Sequence, residues 1–533
     1  MTEPKAYSTV NAVRPGELPG VRGQLRRVGA DLAAGRNCLW LVTDALVESG
    51  LADELYREAL FGHPVRVDIP ASPSASAPGA EADGEAEQEE DDWWVDADEL
   101  PYLDLPDDGF DLDLGWAFDG RRPRVPAPRK EPTGLRDDPH SLLARLGKEL
   151  SVGPEEAIAT LVAPGRGRRP VVGIRAWAET EDPRTGAGTD TAVDAGTARM
   201  RTRTAPRGAA VERLFRLLAA GVKDSGLPPG ERPRLLVVAR LRDLPESLPD
   251  ELRHGLGDTT VHWWWGALGR LDTATAIASI LDRGSDTSGR NHDPLAERIR
   301  RAVRSETVVE VCGPDLELAR LLALEWDGVQ HTLGTALGRC LARLPDPLPA
   351  DCPPLRRIGA LLRPGAELRP AWARGAVVSW EGRLRVHVGV WHPATPGDGP
   401  APVPDGDIRA RLTALVSQAQ QRVLSPWIEE ARQRLAVRAL AHLNRPVATL
   451  VADYADRPPA YLRNDPERVF LELQVGELLR AHVSGALALP PRDAGLLRLL
   501  VTTRNVLAHR SVLYDRTLDE LCAELSQADL RAS

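Results

Sequence analysis

The sequence predicts a multidomain protein of the α/β plus α class: a parallel-sheet domain, a small helical region with a β-hairpin, and a C-terminal helical bundle. Three observations predict this fold class. Short apolar runs alternate with amphipathic helical segments over the first 300 residues, a Pro/Gly-rich linker follows at 393–407, and the remainder has only helical periodicity. Strands that alternate with helices indicate a parallel sheet with crossover helices.

Composition limits the class of protein. The chain has 533 residues and 42% hydrophobic residues, which suits about three globular domains. It contains no apolar run long enough to span a membrane. The five Cys are scattered and form no CxxC pair, so neither a disulfide framework nor a zinc cage is indicated. Of the 67 basic residues 63 are Arg, a usage associated with high-GC bacterial genomes. We expect a cytoplasmic protein with no membrane partner.

The net charge of −10 is unevenly distributed. Residues 67–120 contain 18 Asp and Glu and no Lys or Arg, so the rest of the chain carries +8 (−10 + 18). A mildly basic body is compatible with a nucleic-acid partner. The composition of about 70–135 predicts a disordered acidic insert within the first domain, residues 1–300. Its interleaved aromatic residues leave open a second interpretation, a segment that docks on a basic surface.

The first domain is predicted from its strands. Apolar runs at 37–43, 171–178, 234–240 and 259–265 read as strands, and a helix is predicted from Asp44 to Leu60. This order resembles the core of P-loop NTPases of the STAND type. The resemblance implies a Gly-rich phosphate loop after the first strand and a metal-binding acid at the end of the strand at 235–238.

Both functional features are missing from the sequence. A working phosphate loop needs GxxxxGK[ST], but Thr43-Asp44-Ala45-Leu46 follows the first strand, and none of the four Lys has that context. No acid follows the strand at 235–238 until Asp243. We therefore expect a degenerate P-loop-like module with no cofactor and no ATPase activity.

The second predicted region, residues 301–392, consists of helices and a β-hairpin at 376–391 around Glu381-Gly382. A hairpin after short helices resembles the wing of a winged helix. Arg383, Arg385 and His387 alternate on one face of the hairpin, so that face either contacts phosphate or is simply solvated.

The third predicted region, residues 408–533, is a helical bundle that contains the principal motif. An apolar helix leads into Arg504-Asn505, and His509 follows five residues after the Arg. The pattern resembles the signature of the HEPN superfamily over about the last hundred residues. That resemblance implies metal-free RNA cleavage, with Arg504, Asn505 and His509 as catalytic residues and a dimer whose two motifs face each other.

The chemistry of these residue types fits that activity. The planar guanidinium of Arg504 suits two phosphate oxygens, and a His with a pKa near neutrality exchanges protons with the attacking and leaving oxygens. The alternative is that Asn505 and His509 cap or brace the helical bundle and Arg504 is a solvated surface charge.

Two functions follow. In one, the chain is a bacterial conflict or anti-phage protein, a metal-independent endoribonuclease that acts on RNA, pairs through its bundle and is controlled by the inactive NTPase-like module. In the other, it is a non-catalytic adaptor of a multi-gene defence system. Protein partners are expected in both, and neither requires a metal.

Overall fold

The architecture is seen in a computed structural model that describes residues 14–72, 141–163, 169–179, 208–255, 258–283, 294–344, 363–392, 405–458, 460–462 and 464–529. Most of the predicted acidic insert, from 73 to 135, lies outside the described residues. Among the described helices, none combines the length and the apolar character needed to cross a membrane.

A five-stranded parallel sheet forms the first part of the chain, as the sequence predicts. Its strands are β1 (Asn37–Leu41), β2 (Arg66–Asp68), β3 (Val171–Arg175), β4 (Arg234–Ala239) and β5 (Thr259–Trp263). Their spatial order is β2-β3-β4-β1-β5. β1 and β4 are almost wholly buried, as expected for strands covered on both faces. The sequence does not predict β2, because three residues with charges at both ends carry no strand signal.

Helices connect these strands: α1 (Pro19–Ala33), α2 (Asp44–Glu48), α3 (Leu51–Phe61), α4 (Leu142–Glu149), α5 (Ala157–Val162), α6 (Ala209–Ser225), α7 (Leu248–His254) and α8 (Arg270–Arg283). The single helix predicted from 44 to 60 is wrong, because two helices occupy that segment. Gly50 separates them with a φ of 78°, a left-handed conformation that interrupts the helix.

The position of β1 determines where a ligand would bind. It lies between β4 and β5, in register with both: Trp40 is opposite Val238 on one side and His262 on the other. The connections that leave the neighbouring strands β1 and β4 therefore run in opposite directions, from β1 to the far edge at β2 and from β4 past β1 to β5. In open parallel sheets, ligands bind beyond the carboxyl ends of the strands at such a switch point. Residues 42–44 and 240–243 occupy this place.

The middle of the chain contains α9 (Pro294–Cys312), α10 (Leu316–Glu325), α11 (Leu333–Leu341), α12 (Arg369–Ala373), β6 (Val377–Trp380), β7 (Arg383–Val386) and α13 (Val388–Trp391). β6 and β7 form the predicted hairpin, and both Glu381 (φ 50°) and Gly382 (φ 72°) have the positive φ of a two-residue type I′ turn. The predicted extent is too long. The second strand stops at Val386, because the His387 side chain caps the short helix α13 by accepting from the Gly389 N–H.

The hairpin face that carries Arg383, Arg385 and His387 is exposed only at Arg383. The prediction that this face contacts phosphate or is solvated is therefore wrong for the other two residues. His387 is 5% exposed, and its Nε2 lies 3.1 Å from the carboxylate of Asp315. The guanidinium of Arg385 donates to the Val311 carbonyl oxygen at 2.9 Å. Both partners belong to the segment at the end of α9, so this face is an internal contact and neither side chain is free for phosphate.

The C-terminal region is helical in its described parts, in agreement with the sequence. It contains α14 (Asp405–Ala439), α15 (Val447–Tyr454), α16 (Pro466–Leu471), α17 (Val475–Val483), α18 (Pro491–Ala508) and α19 (Asp515–Asp529). Arg432 on α14 is almost fully buried and donates to the carbonyl oxygens of Leu471 (2.6 Å) and Leu473 (2.9 Å). From inside the bundle, it thereby supplies hydrogen-bond donors to the carbonyl oxygens at and just after the end of α16.

Helix α9 connects the regions of the molecule. Its first half packs in the core of the C-terminal bundle, and its second half packs in the core formed by α10, α11 and the hairpin. Two buried acids on α9 hold three cations from other elements. Glu306 accepts from Arg270 of α8 at 2.9 Å and Arg422 of α14 at 3.1 Å, and Glu310 accepts from Arg422 at 2.6 Å. Arg385 of β7 is 3.7 Å from Glu310.

Candidate functional site

The three residues predicted to be catalytic lie at the C-terminal end of α18. Arg504 and Asn505 are in its last two turns, and His509 follows directly as the C-cap, with its N–H donating to the Asn505 carbonyl oxygen at 3.0 Å. All three are exposed. Their side chains make no hydrogen bond or ion pair with any other described residue. They therefore do not brace the interior of the bundle, but the C-cap position of His509 and the exposure of Arg504 also agree with the alternative interpretation.

The helix separates Arg504 from the other two residues. Asn505 and His509 are four apart and share a face, whereas Arg504 is rotated roughly 140° from His509 at ~100° per residue. The chain turns immediately afterwards, because Arg510 has a φ of 56°. One copy of α18 thus presents the imidazole and the guanidinium in different directions. A single phosphate would be reached by both groups only if a second surface contributed one of them.

The later part of α18 and the turn after it carry cations that lack acidic partners. Arg498, Arg504 and Arg510 are exposed, and none forms an ion pair within the described part of the chain. Some other Arg residues of the bundle are paired, such as Arg438 with Asp493 at 2.9 Å and Arg480 with Asp456 at 2.7 Å, whereas Arg409, Arg411 and Arg457 also form no ion pair with a described residue. An unpaired group of cations keeps its positive potential for an anionic ligand.

An exposed aromatic residue follows this group. Tyr514, 72% exposed, stands between Arg510 and the start of α19. Aromatic faces stack on unpaired nucleobases, and cations bind the phosphates between them. The segment 498–514 therefore has the residue types of a single-stranded nucleic-acid surface.

Beyond the carboxyl end of β1, an acid occupies the position at which a nucleotide phosphate would bind. Asp44 opens α2, and its carboxylate lies 3.3 Å from the guanidinium of Arg242. Arg242 also pairs with Glu48 at 3.1 Å. Burial raises the pKa of the Asp44 carboxyl, and the charge of Arg242 opposes that rise. Asp44 and Glu48, both on α2, repel phosphate, and Arg242 is already paired with both of them.

The acid after β4 is similarly engaged. Asp243 is buried, and its carboxylate accepts from the backbone N–H of Arg240 at 3.0 Å and from its guanidinium at 2.9 Å. It acts as a local cap and is not directed at a metal–phosphate site. The geometry thus gives a physical reason to expect no nucleotide at the switch point.

A second group of chemically active side chains was not predicted from the sequence. Asp31 of α1, Cys38 of β1 and His262 of β5 have ligand atoms that all lie within 4.8 Å of one another. The Nε2 of His262 is 2.8 Å from an Asp31 carboxylate oxygen, and Arg36 also pairs with Asp31. Burial lowers the pKa of His262, although Asp31 opposes this, and burial raises the pKa of the Cys38 thiol.

Sequence reasoning had no signal for this group. Cys38 and His262 are 224 positions apart, and the metal motifs that can be read from sequence depend on short spacings. Parallel pairing of β1 with β5, which places Cys38 opposite Thr260, brings the two side chains to one face of the sheet.

Comparisons with protein-family models, with curated proteins and with solved structures found no match to this chain.

Proposed function

We propose that this chain is a metal-independent endoribonuclease of the HEPN type, in which Arg504, Asn505 and His509 act on RNA and an NTPase-like module without nucleotide chemistry controls them. The observation that carries the proposal is the cationic end of α18. Arg498, Arg504 and Arg510 have no acidic partners among the described residues, and the Asn505 and His509 side chains beside them are exposed. RNA is a polyanion whose binding depends on such unpaired cations.

The roles follow from the chemistry of each group. Arg504 binds the scissile phosphate, Asn505 orients it, and His509 moves protons between the 2′-hydroxyl and the leaving oxygen. This reaction needs no metal, because the cation and the proton carrier are both side chains. As a conflict-system effector of a bacterium, such a protein would be toxic when active.

Assembly as a homodimer resolves the divergent directions of Arg504 and His509. In a two-fold arrangement of the α18 ends, Arg504 of one copy and His509 of the other would meet at one phosphate. Control by the module has a physical route, because α9 contacts the bundle and its Glu306 also binds Arg270 of α8.

A subunit-mixing experiment tests this arrangement. Arg504→Ala and His509→Ala are each expected to be inactive alone. In a mixed population, half of the dimers are hybrids, and each hybrid has one intact composite site, so about a quarter of wild-type activity should return. Activity that never returns on mixing, in hybrids shown to form, would contradict a composite site.

A cellular assay tests catalysis without knowledge of the substrate. Induced wild-type protein should arrest bacterial growth, and His509→Ala should abolish the arrest at equal expression. Arg516→Ala is the matched control, because Arg516 is an exposed cation of the same bundle, with its side chain 93% exposed and paired to Glu520. Arrest by the His509→Ala protein as well would remove His509 from the mechanism.

The second candidate is a non-catalytic adaptor. One observation favours it: Arg504 and His509 point in different directions in one copy, and neither lines the cavity described next. A cavity of about 250 Å³ between α9, α19 and residues 327–329 is lined by other side chains, among them Arg300, Arg304 and Asp519. An adaptor predicts neither toxicity nor cleavage in the presence of its partners, whereas the nuclease predicts both.

A further inference from the structure

The cluster of Asp31, Cys38 and His262 joins three elements at the edge of the sheet. Asp31 is on α1, Cys38 is the second residue of β1, and His262 is on β5, which is an edge strand. The side chains of Asp31 and His262 are 14% and 10% exposed, and Cys38 is fully buried. The group is thus largely enclosed but remains accessible to water from one side.

The three donors are a carboxylate oxygen, a thiol sulfur and an imidazole nitrogen. Zinc is the cation that proteins bind with this mixture of ligands, and three protein donors leave a fourth position for a water molecule. We propose that Asp31, Cys38 and His262 form a binding site for one divalent transition-metal cation, zinc being the best match to the donor set.

The orientation of the imidazole supports the assignment. Nε2 of His262 is buried and faces the Asp31 carboxylate at 2.8 Å, yet it makes no well-aligned hydrogen bond to any described residue. The Cys38 thiol contacts only weakly, at 3.7 Å from the carbonyl oxygen of Val28. Both donors point into the same small space, and the His262–Asp31 contact that must open when a cation binds is close but poorly aligned.

The distances between the three donor atoms fit a tetrahedral zinc site after small movements. Zinc–ligand bonds of about 2.0–2.3 Å in a tetrahedron place two donors roughly 3.2–3.8 Å apart. The Asp31–His262 separation of 2.8 Å must therefore widen slightly, and no donor pair exceeds 4.8 Å. Rotation of the Asp31 carboxylate away from Arg36 supplies such a movement, because the Arg36 side chain is 51% exposed.

Arg36 provides the sharpest test against a simple ion-pair network. If the cluster serves only to join α1 to β5 by charge pairing, Arg36 is a stabilising member. If it binds a cation, Arg36 competes for Asp31 and repels the metal. Removal of this guanidinium should then tighten metal binding, which an ion-pair network does not predict.

The experiment uses the full chain, stripped of metal and titrated with zinc against a chromophoric chelator, and separately with Co²⁺. We expect one Zn²⁺ per chain, a rise in melting temperature on binding, and a Co²⁺ complex with a near-ultraviolet thiolate absorption band. Cys38→Ser should abolish that band and weaken zinc binding by at least about 10²-fold, more than the loss of an outer-shell partner. His262→Ala should weaken it similarly, and Arg36→Met should tighten it several-fold.

Cys522→Ser is the matched control, because Cys522 is also fully buried but lies in the C-terminal bundle. It should leave stoichiometry, affinity and the cobalt spectrum unchanged. Absence of stoichiometric zinc binding by the folded wild type would overturn the proposal. So would a thiolate band that survives in Cys38→Ser, or binding that Arg36→Met weakens. Circular dichroism of each variant separates loss of a ligand from loss of the fold.

Discussion

The replacement of Arg432 by Met should destabilise the C-terminal bundle strongly, and the structure allows the magnitude to be estimated. Arg432 is about 1% exposed and supplies the hydrogen bonds of two carbonyl oxygens, those of Leu471 and Leu473. Met preserves most of the aliphatic volume but donates no hydrogen bond. Each buried acceptor left unsatisfied costs roughly 1–3 kcal/mol.

The ion pair of Arg432 with Glu429 adds little to this cost, because Glu429 is half exposed and regains water when the pair is lost. The expected loss in the free energy of unfolding is therefore about 2–6 kcal/mol, the sum for two unsatisfied acceptors. Urea unfolding followed by far-ultraviolet circular dichroism measures it.

The control is Arg516→Met, which removes a surface cation paired at i,i+4 and should change stability by no more than about 0.5 kcal/mol. A loss below about 1 kcal/mol for Arg432→Met, or one equal to the control, would refute the argument that the buried guanidinium supports the α16–α17 connection.

Three further outcomes follow from the structure. Purified protein should neither bind nor hydrolyse ATP in the presence of magnesium, because Asp44 and Glu48 stand at the phosphate position. Calorimetry measures the binding and phosphate release measures the hydrolysis. ATP turnover that is lost on mutation of residues 42–48 would contradict this. Asp250→Asn should cost about 1 kcal/mol or less at pH 7, since the bond from Arg369 lowers the pKa of a partly exposed Asp250 carboxyl. A lowered pKa gives stability that is present above about pH 4, the value for the unfolded chain, and is lost as pH falls through the lower folded pKa, so wild type and variant should converge in acid. A difference that stays constant from about pH 5 to about pH 2 argues against the pair. Gly173→Ala should lower the free energy of unfolding by about 1–3 kcal/mol, because the added Cβ would lie 2.7 Å from a methyl carbon of Leu60. Thermal unfolding measures the change, and a neutral effect would disprove that packing.

The parallel sheet was predictable because its central strands are continuous apolar runs, a local property of the sequence. β2 was not, since Arg66–Asp68 gains its extended conformation only from pairing with β3. The division of the predicted helix at Gly50 and the type I′ turn at Glu381-Gly382 both depend on glycine, yet only the turn has flanking strands that identify it.

Burial of polar side chains was the harder property to predict. Arg385 and His387 alternate as a solvated face would, but Asp315 and the end of α9 cover them. These partners come from 70 or more positions earlier in the chain, so no local pattern reveals the contact. The same limit explains why the Asp31–Cys38–His262 group became visible only once β1 and β5 were paired.

For the C-terminal motif, the sequence indicated the residues and their relative directions on a helix, but not their exposure. Helical periodicity indicated that Asn505 and His509 share a face and that Arg504 does not. Whether the three were exposed depended on the packing of α18 against α14, α17 and α19, which the sequence leaves open. The exposure of Arg504, Asn505 and His509 is what the structure adds.

The central claim is that these three residues cleave RNA without a metal. The most direct measurement is digestion of total bacterial RNA by purified full-length protein in excess EDTA, with wild type, Arg504→Ala, Arg504→Lys, His509→Ala and the Arg516→Ala control. We predict cleavage by wild type and control, a loss of ~10²–10⁴-fold for His509→Ala, and poor rescue by Lys, because a point charge does not replace the planar fork. All variants should unfold within about 0.5 kcal/mol of wild type, since the side chains are exposed. Cleavage by His509→Ala at the wild-type rate, or none by stable wild type even with its natural partners present, would contradict the account.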